Sequence, residues 1–198
     1  MKRINKEFNF YPDFSRHLNQ DFFLRETSVV ANDLIGKVLV KQHKDGNDMA
    51  GIITETEAYL SENDMSSHSF PGLTKRNAAM FETGGILYVY KIYGIHLCIN
   101  IVTEIKGKGC AVLMRAVKPI LGIDKMKEYR NSPKVETLTK GPGNLTKAFN
   151  FSIEDNFKSV CTKELFIQDA QIIKPEHIKT TERIGITKSK ELMLRYVI

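Results

Sequence analysis

Apolar residues occur along this chain in short bursts, and the spacing within them changes from helical to alternating. Val29, Val30, Ala31, Leu34 and Ile35 fall at helical spacing, with Thr27 or Ser28 as a plausible N-cap and Gly36 as the stop. Lys37 to Lys41 then reads as a short strand, Asp45-Gly46 as a turn, and Ala50 to Leu60 as a returning strand. A further strand covers Cys110 to Val117. Residues 61–84, with Pro71, Gly72 and Gly84 and followed by Gly85, form a long connection of the kind that is usually functional or disordered. The first 20 residues are polar and aromatic and contain Pro12, so they read as an extended arm, with residues 21–198 as one domain. No internal repeat, linker or low-complexity tract divides the chain.

The segment from Ile86 to Thr103 is the most informative, because side chains in a strand alternate between faces. Its even positions are Ile86, Tyr88, Tyr90 and Ile92, then His96, Cys98 and Asn100. Its odd positions, Leu87, Val89, Lys91, Leu97, Ile99 and Ile101, are mostly aliphatic. The two arms keep these faces together only if Ile92 pairs with His96, leaving Tyr93-Gly94-Ile95 as an odd-length loop. A two-residue Tyr93-Gly94 turn would put Tyr90 and Asn100 on opposite faces. The odd loop leaves Tyr93 and Ile95 at an exposed tip, which suggests a contact surface. The same alternation puts Glu55, Glu57 and Tyr59 on one face of the strand before it. A glutamate beside a tyrosine there is a candidate general base or acid. Arg115, between Met114 and Ala116, needs an anionic partner, and Glu57 is one candidate.

Composition narrows the class. A chain of 198 residues with 42% hydrophobic and 26% charged residues is an ordinary globular protein able to bury a core. No apolar run is long enough for a membrane span, and no secretory leader is indicated. Cys98, Cys110 and Cys161 fit neither a disulfide framework nor a zinc knuckle, which suits a reducing, cytoplasmic setting. The five histidines are dispersed without metal spacing. The net charge of +6 favours a polyanionic partner, although basic clusters such as Lys75-Arg76 are more often solvated faces than phosphate contacts.

Several short motifs, in order and in register, carry a resemblance to a known family. They are Leu34-Ile35-Gly36-Lys37-Val38-Leu39-Val40, Glu55-Thr56-Glu57-Ala58-Tyr59-Leu60, Arg76-Asn77 with Met80-Phe81, and Leu87-Tyr88-Val89-Tyr90 with Ile92-Tyr93-Gly94. Val112-Leu113-Met114-Arg115-Ala116, Gly141-Pro142, Arg183-Ile184-Gly185-Ile186 and Arg195-Tyr196-Val197 complete the set. The chain resembles the alkyladenine-DNA glycosylases (methylpurine- or 3-methyladenine-DNA glycosylases), which remove alkylated and deaminated purines from duplex DNA. The resemblance implies Glu57 as the base that activates the attacking water and Arg115 as the residue that helps hold that water and the glutamate. It implies Tyr59, His68, Tyr90 and Asn100 around the flipped base, with Asn100 colliding with the exocyclic amine of normal guanine. Tyr93 would fill the gap left in the duplex, and Ile95, His96, Lys75, Arg76 and Lys91 would contact DNA. His96 departs from the family, which often carries tyrosine there. The expected fold is α+β: a single compact domain with a mixed, largely antiparallel curved sheet, surrounding helices and a protruding hairpin. The resemblance implies a water nucleophile, hence no strand cleavage, and no metal or organic cofactor. A cytoplasmic monomer acting on damaged duplex DNA, without a membrane partner, is expected.

Two other functions fit parts of this pattern. A damage-binding module would flip bases without cutting, and the presence of both Glu57 and Arg115 argues against it. A hydrolase of free nucleosides would have no use for an exposed wedge or a basic surface.

Overall fold

The computed structural model describes residues 10–43, 45–92, 94–170 and 173–198. In chain order its helices and strands are α1 (Gln20–Phe23), α2 (Thr27–Asp33), β1 (Val38–Lys41), β2 (Met49–Tyr59), β3 (Leu87–Ile92), β4 (His96–Thr103), β5 (Cys110–Leu121), α3 (Ile123–Arg130), α4 (Pro142–Ala148), β6 (Leu165–Gln168), β7 (Lys179–Thr181) and β8 (Arg195–Val197). The strands form one sheet in the order β3-β4-β5-β2-β1-β6, with β8 joined to β2 and β7 to β8. The fold is α+β as expected. Every pairing among the described strands is antiparallel, so the sheet is not mixed.

β2 organises the sheet. One of its edges pairs with β5 along its length; the other is shared, β1 taking Met49–Ile52 and β8 taking Glu55–Glu57. Around Glu55 the register with β5 shifts twice, between Ile53 and Glu55 and between Glu55 and Thr56, so that Thr54 on β2 and Arg115 on β5 have no opposite partner. Such bulges bend a strand and re-aim its side chains. Ile53 faces the main core, where simple alternation would also send Glu55 and Glu57. After the bulge Thr56 and Ala58 take the core side instead, and the Thr56 hydroxyl donates to the Ala31 carbonyl of α2 at 2.8 Å. Glu55, Glu57 and Tyr59 thereby share the opposite face.

The main core lies between this sheet and the helices, filled by Phe23, Val30, Leu34, Ile53, Met114, Leu145 and Phe149. A separate cluster of Ala79, Met80, Tyr88, Val102 and Ala111 lies beside β3. α2 begins at Thr27 with Glu26 before it, so neither Thr27 nor Ser28 is the cap. The Thr27 side chain is committed elsewhere, donating to Glu104 at 2.5 Å and meeting the Thr103 hydroxyl at 2.9 Å, and thus ties the helix to the sheet. Gly36, at φ +84, follows the helix and gives its N–H to the Ile53 carbonyl at 2.9 Å. Residues 10–19 lie along β6, with Phe14 edge-on to Phe166 at 5.3 Å and the Leu18 N–H bonded to Ile167.

The hairpin has the odd loop that side-chain parity requires. Ile92 pairs with His96, Tyr90 with Cys98 and Tyr88 with Asn100. Leu87, Val89, Ile99 and Ile101 enter the core from the other face. Gly94 turns at φ +74, and Ile95 is 76% exposed at the tip. Tyr93 lies outside the described residues. Cys98, Cys110 and Cys161 are free thiols. Among the described residues no helix is long and apolar enough to cross a membrane.

The segment leading into β3 is set against the end of α1 by close backbone approach at Gly84, where a Cβ would fall within contact distance of the Phe23 carbonyl. A backbone atom cannot swing aside as a side-chain tip can. Gly84→Ala should therefore lower stability by about 1–3 kcal/mol, the usual cost of overpacking a dense interior. A lower urea midpoint with an unchanged slope is expected, and an unchanged midpoint would contradict the contact.

Candidate active site

β2, β3, β4 and β5 direct Tyr59, Tyr88, Tyr90, Asn100 and Arg115 toward one cavity of about 540 Å³. That volume is within the roughly 300–1,000 Å³ typical of small-ligand pockets. The loop after β2 adds His68, and the segment Ile184–Lys188 supplies the facing wall. Those last two pieces are joined: the Ser66 hydroxyl donates to Lys188 O at 2.6 Å, and the Met65 N–H to the Ser189 hydroxyl at 3.0 Å. Asn77 secures the loop from within, donating to His68 O and Gly72 O at 2.8 and 2.9 Å and accepting from Thr74.

Glu57 is fully buried just behind the cavity wall. Its Oε2 accepts from Arg115 Nη1 at 3.1 Å and from the Tyr59 hydroxyl at 3.0 Å. Its Oε1 accepts from the Ile184 backbone N–H at 2.7 Å. A carboxylate offers about four lone-pair sites. Three are used by described residues, and the fourth has no donor among them. Arg115 is shared: its Nε donates to Glu55 at 2.9 Å, and Glu55 also accepts from Arg195 Nε at 2.7 Å. A line of alternating charge, Arg195–Glu55–Arg115–Glu57, thus runs across β8, β2 and β5. Burial pulls the Arg115 pKa down, but the charges of Glu57 and Glu55 outweigh it and raise it overall. Burial, then the Glu57 charge, raises the Tyr59 pKa, so its phenol stays a donor.

The cavity wall is aromatic. Tyr88 and Tyr90 stack at 5.3 Å, and His68 meets Tyr90 edge-on at 4.5 Å. His68 Nδ1 lies 3.0 Å from the Tyr88 hydroxyl, whose pKa burial pushes up to about 12. Burial, then the charge of Arg76, lowers the His68 pKa, which favours a neutral imidazole. Burial also raises the pKa of Tyr90 and of the Cys98 thiol next to it. The Asn100 amide donates to Tyr88 O at 3.1 Å, leaving its carbonyl oxygen uncommitted among the described residues. The arrangement offers flat ring surfaces, neutral donors and one buried base. Among the described residues no group of His, Cys, Asp and Glu side chains gathers as a metal site.

Glu57, Arg115, Tyr59, His68, Tyr90 and Asn100 are therefore all brought together. Lys75, Arg76, Lys91, Ile95 and His96 are exposed, and Arg76 reaches the Lys91 carbonyl at 3.4 Å, linking the loop to the hairpin. His96 packs beside Gly143 at the start of α4, where a Cβ would lie 3.3 Å from its own. Sequence reasoning assigned no role to Glu55 beyond its face, and none to Arg195, Asp64, Arg183 or the Ile184 amide. Arg183 to Ile186 and Arg195 to Val197 stood among the matching motifs, but a backbone donor leaves no side-chain signature.

Comparison with known proteins gives the family. The family model described as Methylpurine-DNA glycosylase (MPG) matches residues 21–198, and the chain belongs to that family. A relative in Prosthecochloris aestuarii, named "Putative 3-methyladenine DNA glycosylase", is 43% identical over 179 residues, covering 90% of this chain and 86% of the relative. A protein of the same name in Methanoculleus marisnigri is 42% identical over 180 residues, covering 89% and 92%.

The lowered His68 pKa carries a pH signature. Between its folded midpoint and the ordinary value of 6.5 the unfolded chain binds a proton that the folded chain does not. This residue therefore makes stability fall as pH drops through that window and has no effect above it. An imidazole midpoint below 6.5, followed by NMR of the ring protons, is expected. A midpoint above 6.5 would contradict the burial argument.

Proposed function

We propose that this protein is a DNA repair glycosylase that extrudes alkylated or deaminated purines from duplex DNA and hydrolyses the N-glycosidic bond. The observation that carries this reading is a fully buried Glu57, held by three donors with a fourth lone pair unused among the described residues, behind an aromatic cavity. Enzymes that act on a base inside a duplex take it out of the stack and read it between rings. Tyr59, Tyr90 and His68 are the surfaces proposed to receive it, with Asn100 at the edge that excludes normal guanine.

In the proposed reaction, a water bound to the open lone pair of Glu57 attacks C1′ of the sugar as the glycosidic bond breaks. The bond's electron pair leaves with the purine, the water oxygen stays on the sugar, and the water proton passes to Glu57. Alkylation at N3 or N7 makes the leaving purine cationic, so it departs without further protonation. A neutral purine such as hypoxanthine gains from a proton donated to the leaving base. Arg115 orients the carboxylate and the water. Because water is the nucleophile, the product is an abasic site with the strand intact. Lys75, Arg76 and Lys91 are proposed to meet phosphates, Ile95 and His96 to contact the duplex, and Tyr93 to fill the vacated stack.

Activity of Glu57→Gln on methylated duplex tests the central claim. General-base assistance is worth typically about 10²–10⁴-fold, so excision should fall by that much while duplex binding persists. Near-normal turnover would remove Glu57 from the mechanism. Release of free base by the unaltered protein from alkylated duplex, but not from alkylated nucleoside, separates this reading from a binding module and from a nucleoside hydrolase.

Selectivity gives a second check. Asn100→Ser removes bulk at the cavity edge and should raise excision of normal guanine by roughly 10-fold or more, the scale of discrimination by small steric differences. Unchanged guanine excision would place selectivity elsewhere.

A further inference from the structure

Arg183 and Asp64 have no role in the chemistry above, yet both side chains are fully buried and paired through two bonds of 2.6 and 2.7 Å. Asp64 also accepts the Leu60 and Ser66 N–H groups at 3.1 Å each, tying the loop back to the end of β2. Arg183 gives further bonds to Ala58 O at 3.0 Å and Ser189 O at 3.4 Å. Its fork meets the carboxylate end-on through both terminal nitrogens. That orientation leaves Nε–H buried with no partner among the described residues. A buried donor left unpaired is costly, and a native site that keeps one calls for a reason. The reason visible here is that the flat guanidinium lies against the Tyr59 ring, with Cζ 4.6 Å from its centroid.

Tyr59 donates to one oxygen of Glu57, and Ile184, the residue after Arg183, donates to the other. One guanidinium therefore braces two of the three donors on Glu57, by stacking on one and by chain connection to the other. The third donor, Arg115, is braced separately by Glu55. We propose that the Asp64–Arg183 pair is a positioning device for Glu57. It holds the Tyr59 hydroxyl and the Ile184 amide in place, so that the open lone pair of the carboxylate stays aimed at the reacting centre. The inference rests on the glycosylase reading, because only a reaction makes that aim matter.

The test uses Arg183→Lys and the double variant Asp64→Asn/Arg183→Met. Lysine keeps a charge opposite Asp64 but loses the fork and the flat face. The double variant removes both buried charges, which is often tolerated, and so guards against a folding failure of the single one. Three quantities are measured: single-turnover release of methylated purine from duplex, duplex affinity, and the NMR shift of the Ile184 amide proton. Excision should fall by about 10–100-fold with duplex affinity within roughly threefold, as expected when a reacting group is misplaced by a fraction of an ångström. The Ile184 proton, deshielded by the carboxylate, should move upfield in both variants. A folded variant that excises within roughly threefold of the unaltered protein, or an unmoved amide, overturns the proposal. If the amide moves but the unaltered protein releases no base, the positioning of Glu57 is supported and the glycosylase reading alone fails.

Discussion

Keeping a carboxylate out of water is the constraint around which this structure is arranged. Moving such an ion from water into a protein costs several kcal/mol even after relaxation. Glu57 is fully buried, so that cost is met by the Arg115 guanidinium, a tyrosine hydroxyl and a backbone amide. Each donor then needs its own support. Arg115 sits at a register break in β5 that lets it reach two glutamates, and Glu55 is balanced in turn by Arg195 on β8. The four charges sum to zero, which lets them share the interior without a net field that would need solvent to quench it.

The same requirement accounts for the irregularity of β2. With strict alternation the odd positions of β2 would face either the helices or the cavity along its whole length. The strand must do both: its first half anchors β1 and the core through Met49 and Ile53, and its second half carries the site. The break at Thr54 lets one strand serve both ends. The hairpin needs no such device, since its aliphatic and aromatic faces are separate from end to end.

That difference explains what could be read from the sequence. The hairpin register was legible because a period of two leaves only one loop parity that keeps Tyr88, Tyr90 and Asn100 together. The grouping of Glu57, Arg115, Tyr59, His68, Tyr90 and Asn100 became legible through motifs in register, which no single residue would have revealed. The bulge was not legible: Glu55, Glu57 and Tyr59 keep their alternation on either account, and only the positions up to Ile53 change face. The start of α2 was misjudged because Thr27 looks like a cap, whereas its hydroxyl is committed to Glu104 and Thr103, more than 70 residues away. The Ile184 amide and the Asp64–Arg183 pair depend on contacts spanning 127 and 119 positions, and local pattern carries no record of those.

Sequence separation also bears on how the site comes into being. The hairpin pairs residues no more than 14 positions apart, so it can close as soon as it is made. Glu57 receives its backbone donor from 127 positions downstream, and Glu55 receives Arg195 from 140. During synthesis at about 5–20 residues per second, the strands that carry Tyr59, Tyr90, Asn100 and Arg115 are therefore made several seconds before the segment that supplies both the facing wall and the last donor to Glu57. A nascent chain in that interval lacks both the wall formed by Ile184–Lys188 and one of the three donors that hold Glu57. Maturation of the site is thus coupled to the arrival of a distant segment, and a chain cut short of it would leave the cavity without its facing wall and Glu57 one donor short.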